Sequence, residues 1–536
     1  MINDSQKHST LIDIISLRAR TAPEQPAVIF PKEILTYREL HEGINCFASN
    51  LSQSAFLTQD RVLISLPNSS EFFFAFYGVM LAGGIPVPLF PDSGLTRLLS
   101  IAKQSGASAI ITSKSFPADM IDEFNQRKKT GKVQLIPISK ILAMGFNGDV
   151  NFPIIKSNNT AYIQYTSGST SDPKGVKISH QNLLTNIQQM IAGFKINQGE
   201  VFVSWLPAFH DMGLILMTMV PFYLGTKLIL LQSTLTNIRH WLEAIQEHRG
   251  TFTAAPDFAY RLCLTYVKDT GTYDISSLRV ALNAAEPVRL QTIRDFEKRF
   301  GLTSVMTPAY GLSEATVGVT TWPVGRPIKS DHRGFVSAGY PFPDVTIKIR
   351  EDSRAANREG IGEILVKSPA NTKGYWNNSE ATEKLYTDDS YLNTGDLGYI
   401  DDEGCLFIVG RKKNIIIQGG RNIAPKEIEE LIDPLPFVRS TAAVGVDSGG
   451  REGEQVFIFV DTKYRNRPSE EVLMAMSMEI TMTFSDYFGF RPGRVLLLKR
   501  GSLPYTANRK LKHGELRHKY LNGTYRQQGN IFFPDY

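Results

Sequence analysis

The stretch Tyr165–Gly175, YTSGSTSDPKG, packs hydroxyls, small residues and one lysine into a short loop. TAYIQY before it reads as a strand. SHQNLLTNIQQMIAGF after it reads as a helix with Ser179 as N-cap. A strand, a flexible loop and then a helix is an arrangement that offers backbone N–H groups to phosphate. Gly168 and Gly175 permit close backbone approach, Thr166, Ser167, Ser169 and Thr170 can donate hydrogen bonds, and Lys174 adds positive charge. The loop is therefore expected to hold a polyphosphate. It is not a Walker A loop, because Pro173 precedes the lysine and Gly175, not Ser or Thr, follows it.

Outward from the loop, composition limits the remaining possibilities. The chain has 536 residues, 42% hydrophobic and 21% charged, which is ordinary globular usage and too long for one core. Its net charge of +5 comes from 58 basic and 53 acidic residues that are not gathered into a block, which argues against nucleic acid as the main partner. Cys46, Cys263 and Cys405 are far apart and suggest neither a zinc site nor a disulfide framework. The N-terminal residues lack a charged-then-apolar leader, and the longest apolar stretch, around GLILMTMVPFYLG, is too short to span a bilayer. The expectation is a cytoplasmic protein with no membrane span.

Short apolar runs (RVLISLP, SAIITS, TKLILLQ, EQVFIFV) alternate with amphipathic helical segments (NIRHWLEAIQEH, RLQTIRDFEKRF), which predicts an α/β fold with largely parallel sheets. REDSRAANREG and the tail NGTYRQQGNIFFPDY read as low-order stretches. A break falls at GRKKN, giving a large N-terminal domain of layered α/β sheets, residues 1–410, and a small mobile C-terminal α/β domain, residues 411–536. The active site is expected at their interface.

YTSGSTSDPKGVKISHQNLL resembles the phosphate-loop signature of the adenylate-forming superfamily of acyl-CoA synthetases, nonribosomal adenylation domains and luciferases, with Ser171 where glycine is usual. The family's other motifs follow in order. In TPAYGLSEAT the resemblance implies that Tyr310 stacks on adenine, Gly311 belongs to the same turn, Ser313 contacts the α-phosphate and Glu314 holds Mg²⁺. A flat ring suits a base, and a hard carboxylate oxygen suits that ion. LNAAEPVR resembles the adenine-pocket segment, so Asn283, Ala284, Ala285 and Glu286 are expected to line the base; the alternative for Glu286 is an ordinary strand end. In YLNTGDLGYIDDEGCLFIVGRKKN, Asp396 would accept from both ribose hydroxyls, Arg411 would donate nearby, and Lys413 falls at the hinge position. GSLPYTANRKLKHGEL resembles the C-terminal catalytic loop, with Lys510 as the cation that bridges substrate carboxylate and α-phosphate. Arg509 stands before it where glycine is normal.

The resemblance implies activation of a carboxylic acid with ATP to acyl-AMP, with loss of pyrophosphate, followed by transfer to a thiol after the small domain rotates. Lys510, Glu314, Thr166 and His210 are the catalytic candidates. SWLPAFHDMGLI and TFTAAPDFAYRLC are most similar to fatty-acyl-AMP ligases, so the acid is expected to be a fatty acid. Met212, Leu214, Phe258 and Tyr260 are either tunnel walls or ordinary core, and His210 either orients the substrate or is a hydrogen-bonded core histidine. The tunnel motifs imply the phosphopantetheine of an acyl carrier protein as acceptor. The short segment after Thr316 lacks the insertion usual in that branch and is compatible with coenzyme A. A non-catalytic relative that binds nucleotide or acyl chains is the other class. Arg517 and Lys519, in RHKY, form a basic cluster that could attract an acidic carrier.

Lys510→Ala should keep ATP binding, measured by calorimetry, and lose roughly 10²–10³ in acyl-AMP formation. Near-normal acyl-AMP formation by this variant would remove Lys510 from the mechanism.

Overall fold

A computed structural model describes residues 10–53, 58–91, 93–113, 133–145, 150–165, 173–233, 238–269, 271–351, 360–418, 421–447, 454–506 and 511–533. The helices begin where the local chemistry says they should. Thr10 with Asp13, Thr36 with Glu39, and Ser179 with Asn182 form reciprocal caps at the starts of Leu11–Thr21, Tyr37–Ser52 and His180–Gly193. The helix Leu290–Phe300 ends with Lys298 and Arg299 in its last turn and Gly301 at φ 64°, a left-handed stop suited to glycine.

The largest sheet has thirteen strands. Its centre, from Pro26–Phe30 through Lys227–Leu230, Val201–Ser204, Phe252–Ala255 and Val280–Asn283 to Met306–Tyr310, is parallel. Phe252–Ala255 and Val280–Asn283 are buried along their whole length, as strands covered on both faces must be. From Met306–Tyr310 the sheet continues antiparallel through Thr320–Thr321, Ser337–Pro341, Leu406–Arg411, Leu392–Ile400 and Gly362–Lys367 to Thr346–Glu351. The expected parallel order thus holds only at the centre, because the region after Tyr310 supplies strands without intervening long helices. A second, four-stranded parallel sheet is built on Arg61–Ser65 and carries the SAIITS strand, Ala109–Thr112.

Beyond Arg411 the chain builds a further sheet. Val438–Asp447, Glu454–Thr462, Arg494–Leu498 and Ile531–Phe533 make a four-stranded sheet. Ile416, Ile428, Ile458, Ile480, Phe484 and Phe532 close a core on one side of it. Among the described residues no helix is long and apolar enough to cross a membrane.

Two readings of the sequence need correction. The phosphate-loop segment does not lead directly into a helix: GVKIS forms its own strand, Gly175–Ser179, pairing antiparallel with Thr160–Tyr165. Tyr165 lies opposite Gly175 in this pair, and Ser179 with its helix start is a strand away from the phosphate-loop segment. Gly175 is needed for packing, since a Cβ there would lie 2.8 Å from the Ile163 side chain. The tail, read as low-order, is instead ordered through the short helix Thr524–Gln527 and an edge strand that puts Phe532 in the core.

Phe532→Ala should cost about 3 kcal/mol. Hydrogen exchange should then rise in Val438–Asp447 and Arg494–Leu498 and stay unchanged in Val280–Asn283; exchange rising equally in both sheets would contradict an independent C-terminal core.

Candidate active site

One cavity of about 2070 Å³ runs between the main sheet and the C-terminal body. It lies beyond the C-terminal ends of the parallel strands Val280–Asn283 and Met306–Tyr310, the usual crevice for ligands in open α/β sheets. The chain after each strand supplies wall residues: Ala284, Ala285 and Glu286 from the first, Tyr310, Gly311, Ser313 and Glu314 from the second.

These turns are tightly wound. Ala285 and Thr316 both have φ 71°, in the left-handed region that costs energy for residues with a side chain. Thr316 is held there by its hydroxyl, which donates to the Ala370 carbonyl at 2.6 Å. A Cβ at Gly311 would lie 1.7 Å from the Val317 carbonyl oxygen, so only glycine fits.

Asp396 sits at the centre of the polar wall and is 4% exposed. The register of Leu392–Ile400 on Leu406–Arg411 puts it directly opposite Arg411, whose Nε lies 2.7 Å from Oδ1. From the parallel half, the Tyr310 hydroxyl donates to Oδ2 at 2.6 Å. Burial, then the charge of Asp396, pushes the Tyr310 phenol well above its ordinary value, so it stays a donor. Glu314 accepts from the Tyr375 hydroxyl at 2.8 Å, and Lys174 lies 5.0 Å over the Tyr375 ring. Tyr375 reaches this place because its segment meets the strand Gly175–Ser179, where Trp376 N donates to the Gly175 carbonyl.

Beside them the Ser313 hydroxyl donates to Asp211 at 2.5 Å, and His210 Nδ1 lies 2.7 Å from the other oxygen of the same carboxylate. Asp211 starts the π-helical turn Met212–Met219, a wide winding that recurs at functional sites. Gly213 permits it, since a Cβ would lie 2.1 Å from the Pro207 carbonyl oxygen.

Of the expected site residues, Lys174, His210, Met212, Phe258, Ala284, Ala285, Glu286, Tyr310, Gly311, Ser313, Glu314, Asp396, Arg411 and Lys413 all line this cavity. Thr166, Ser167, Gly168, Ser169, Thr170 and Lys510 lie outside the described residues; Tyr505, Thr506, Leu511 and His513, flanking the last of them, line the cavity. Three are corrected. Leu214 is fully buried on the core side of the π-helical turn. Tyr260 is also fully buried, its hydroxyl donating to the Leu282 carbonyl at 2.7 Å. Asn283 points away from the cavity, its amide donating to Asp257 at 3.0 Å. That fully buried aspartate also accepts from Arg289 N, Thr292 and Arg261, and so fixes the whole LNAAEPVR turn. No motif pointed to Asp257, Tyr375 or Asp211 in these roles, because each acts through a partner distant in sequence. Arg517 and Lys519 lie 3.4 Å from Glu454 and 2.6 Å from Glu515, so the RHKY cluster is largely neutralised.

Among the described residues there is no group of three or more His, Cys, Asp or Glu side chains able to cage a metal. Glu314 alone fits Mg²⁺ that takes its remaining ligands from phosphate and water.

Residues 15–376 match the family described as AMP-binding enzyme, and the chain belongs to that family. It is 31% identical to the medium-chain-fatty-acid--[acyl-carrier-protein] ligase JamA of Moorena producens, over 96% of each chain. It is 30% identical to the long-chain-fatty-acid--AMP ligase FadD28 of Mycobacterium tuberculosis, over 94% of this chain and 96% of that one. A solved structure from studies of fatty acyl-adenylate ligases of E. coli and L. pneumophila superposes with a TM-score of 0.86 at 25% identity, covering 97% of this chain and 99% of that one.

Glu286 is partly buried on the cavity wall, and its withdrawal from water, with the charge of Asp257 second, pushes its carboxyl from 4.5 up to about 7. The native state therefore holds this proton more tightly than the unfolded chain. The stability it contributes is full below about pH 4.5 and lost as pH rises through about 7. Melting of Glu286→Gln across that window should lack a decline on the order of 1 kcal/mol seen in the wild type. Equal slopes would place the titration elsewhere.

Proposed function

We propose that this chain activates a fatty acid with ATP to acyl-AMP and passes the acyl group to the phosphopantetheine thiol of an acyl carrier protein. The observation that carries the reading is the Tyr310–Asp396–Arg411 cluster beside Glu314, at the junction of a polar wall and an apolar one. A carboxylate has about four lone-pair sites; Tyr310 and Arg411 use one each, leaving two for the ribose hydroxyls. The Tyr310 ring is the platform for adenine, with Ala284, Ala285 and Glu286 around the base. ATP supplies the adenylyl group, and Mg²⁺, held through Glu314, neutralises phosphate charge. Thr166, Ser167, Gly168, Ser169, Thr170 and Lys174 cradle the phosphates.

A carboxylate oxygen of the acid attacks the α-phosphorus in line. The bond to the bridging oxygen breaks, and pyrophosphate leaves with that electron pair. Ser313 and Lys510 face the charge that develops on the α-phosphate. The His210–Asp211–Ser313 chain orients these groups, since Asp211 holds both neighbours at once. In the second step the acceptor thiol, losing its proton, attacks the acyl carbon and AMP leaves. Lys413 is the hinge about which the C-terminal body moves between the two steps.

The alkyl chain lies along Met212, Phe258, Met190, Phe194, Leu216 and Phe342 on the apolar wall. Each methylene buried there gains about 0.8 kcal/mol, so chain length governs affinity. Carrier-protein and AMP ligases among the relatives support the acceptor and substrate chosen. Coenzyme A is the second reading, favoured by the short path from Thr316 to Pro343. ATP as substrate and three unpaired cysteines suit a cytoplasmic location.

Mass spectrometry of products from ATP, Mg²⁺ and a fatty-acid series, with coenzyme A or with a phosphopantetheinylated carrier, tests this directly. Acyl-AMP that accumulates, is unaffected by coenzyme A and is consumed by the carrier is the expected result. Acyl-CoA would move the assignment to the second reading. No acyl-AMP from any acid would refute adenylation.

A further inference from the structure

Three charged contacts join one short stretch of the C-terminal body to the large body, and Lys426 and Arg289, one from each side, line the cavity. In the helix Pro425–Ile432, Lys426 lies 4.8 Å over the Phe335 ring and Glu427 lies 3.9 Å from Arg333. Its C-cap residue, Asp433, forms an ion pair with Arg289 of the large body. Both ion pairs are withdrawn from water, but Asp433 and Arg289, 6% and 24% exposed, are in direct contact, whereas Glu427 stands 3.9 Å from Arg333.

The helix alone does not explain Asp433. Its last turn carries Glu429 and Glu430 and no basic residue, and a carboxylate at the negative end of a helix is unfavourable. The compensating charges come from elsewhere: His513 Nε2 lies 2.6 Å from Glu429, and Lys426 lies 3.5 Å from Glu430. Asp433 instead takes its ion-pair partner, Arg289, from the large body. Withdrawal from water pushes its carboxyl upward, and Arg289 opposes that shift. Arg289 is placed differently. The charge of Asp257, whose carboxylate also accepts from the Arg289 backbone N–H, acts on it from its own body and remains when the C-terminal body moves away. An ion pair in which one partner has alternatives can be broken and remade, whereas stranding a buried charge is strongly unfavourable.

We propose that Asp433, through Arg289, is a positioning residue. It holds the C-terminal body across the cavity during adenylate formation and is released for thiol transfer. This rests on the adenylation reading above. The two half-reactions separate it from a role in folding, because each can be measured alone.

The test uses the full chain with Asp433→Asn and the conservative Asp433→Glu. Pyrophosphate release is measured with ATP and dodecanoic acid, and transfer is measured from supplied dodecanoyl-AMP to a phosphopantetheinylated carrier. Asp433→Asn should slow pyrophosphate release by roughly tenfold or more and leave transfer within about twofold of wild type, or faster. Asp433→Glu should retain adenylation to within about threefold. Equal losses in both half-reactions, undiminished adenylation in Asp433→Asn, or no advantage of Glu over Asn would each overturn the proposal. Wild-type protein that makes no acyl-AMP would instead refute the functional reading itself.

Discussion

A carboxylate that is 4% exposed has to be paired, and the pairing of Asp396 organises this molecule. Tyr310 reaches it from the end of the parallel half of the sheet, and Arg411 from the last residue of an antiparallel strand. Arg411 is also the point where the chain leaves for the C-terminal body. One buried charge thus ties together the two halves of the sheet and the start of the second unit. The same charge faces the cavity, so the contact that stabilises the junction also defines the polar wall.

The second constraint is steric. The turn from Tyr310 to Thr316 is wound so closely that Gly311 admits no side chain, and Thr316 is kept at positive φ by its bond to Ala370. Such winding sets the backbone of Ser313 and Glu314, and Asp211 and Tyr375 hold their side chains from distant segments. Preorganised polar groups of this kind need little reorganisation when charge develops during a reaction.

Much of this was legible in the sequence where function depends on residue type at a fixed place in a short motif. Tyr310, Ser313, Glu314, Asp396 and Arg411 lie within or just after strands in recognisable motifs, and the fold brings them onto one cavity. Features set by long-range geometry were not legible. GVKIS is too short for its strand character to be told from a helix entry, so the strand pairing at Gly175 was missed. Leu214 and Tyr260 have the composition of tunnel walls, but the π-helical winding and the bond to Leu282 turn them into the core. Tyr375 and the Arg289–Asp433 pair carry no local signal, because their partners lie tens of residues away or more, and Asp257 joins Arg261 on its own helix to Asn283, Arg289 and Thr292 on a later turn. The tail strand is only three residues long and is stabilised by its sheet rather than by its own sequence.

The central claim is that an oxygen of the substrate carboxylate becomes bonded to the α-phosphorus. Dodecanoic acid labelled with ¹⁸O in both carboxylate oxygens, turned over with ATP and an acceptor thiol, tests it most directly. The account predicts that each AMP released carries one heavy oxygen and that pyrophosphate carries none. Label in pyrophosphate or inorganic phosphate, or unlabelled AMP formed alongside thioester, would contradict it.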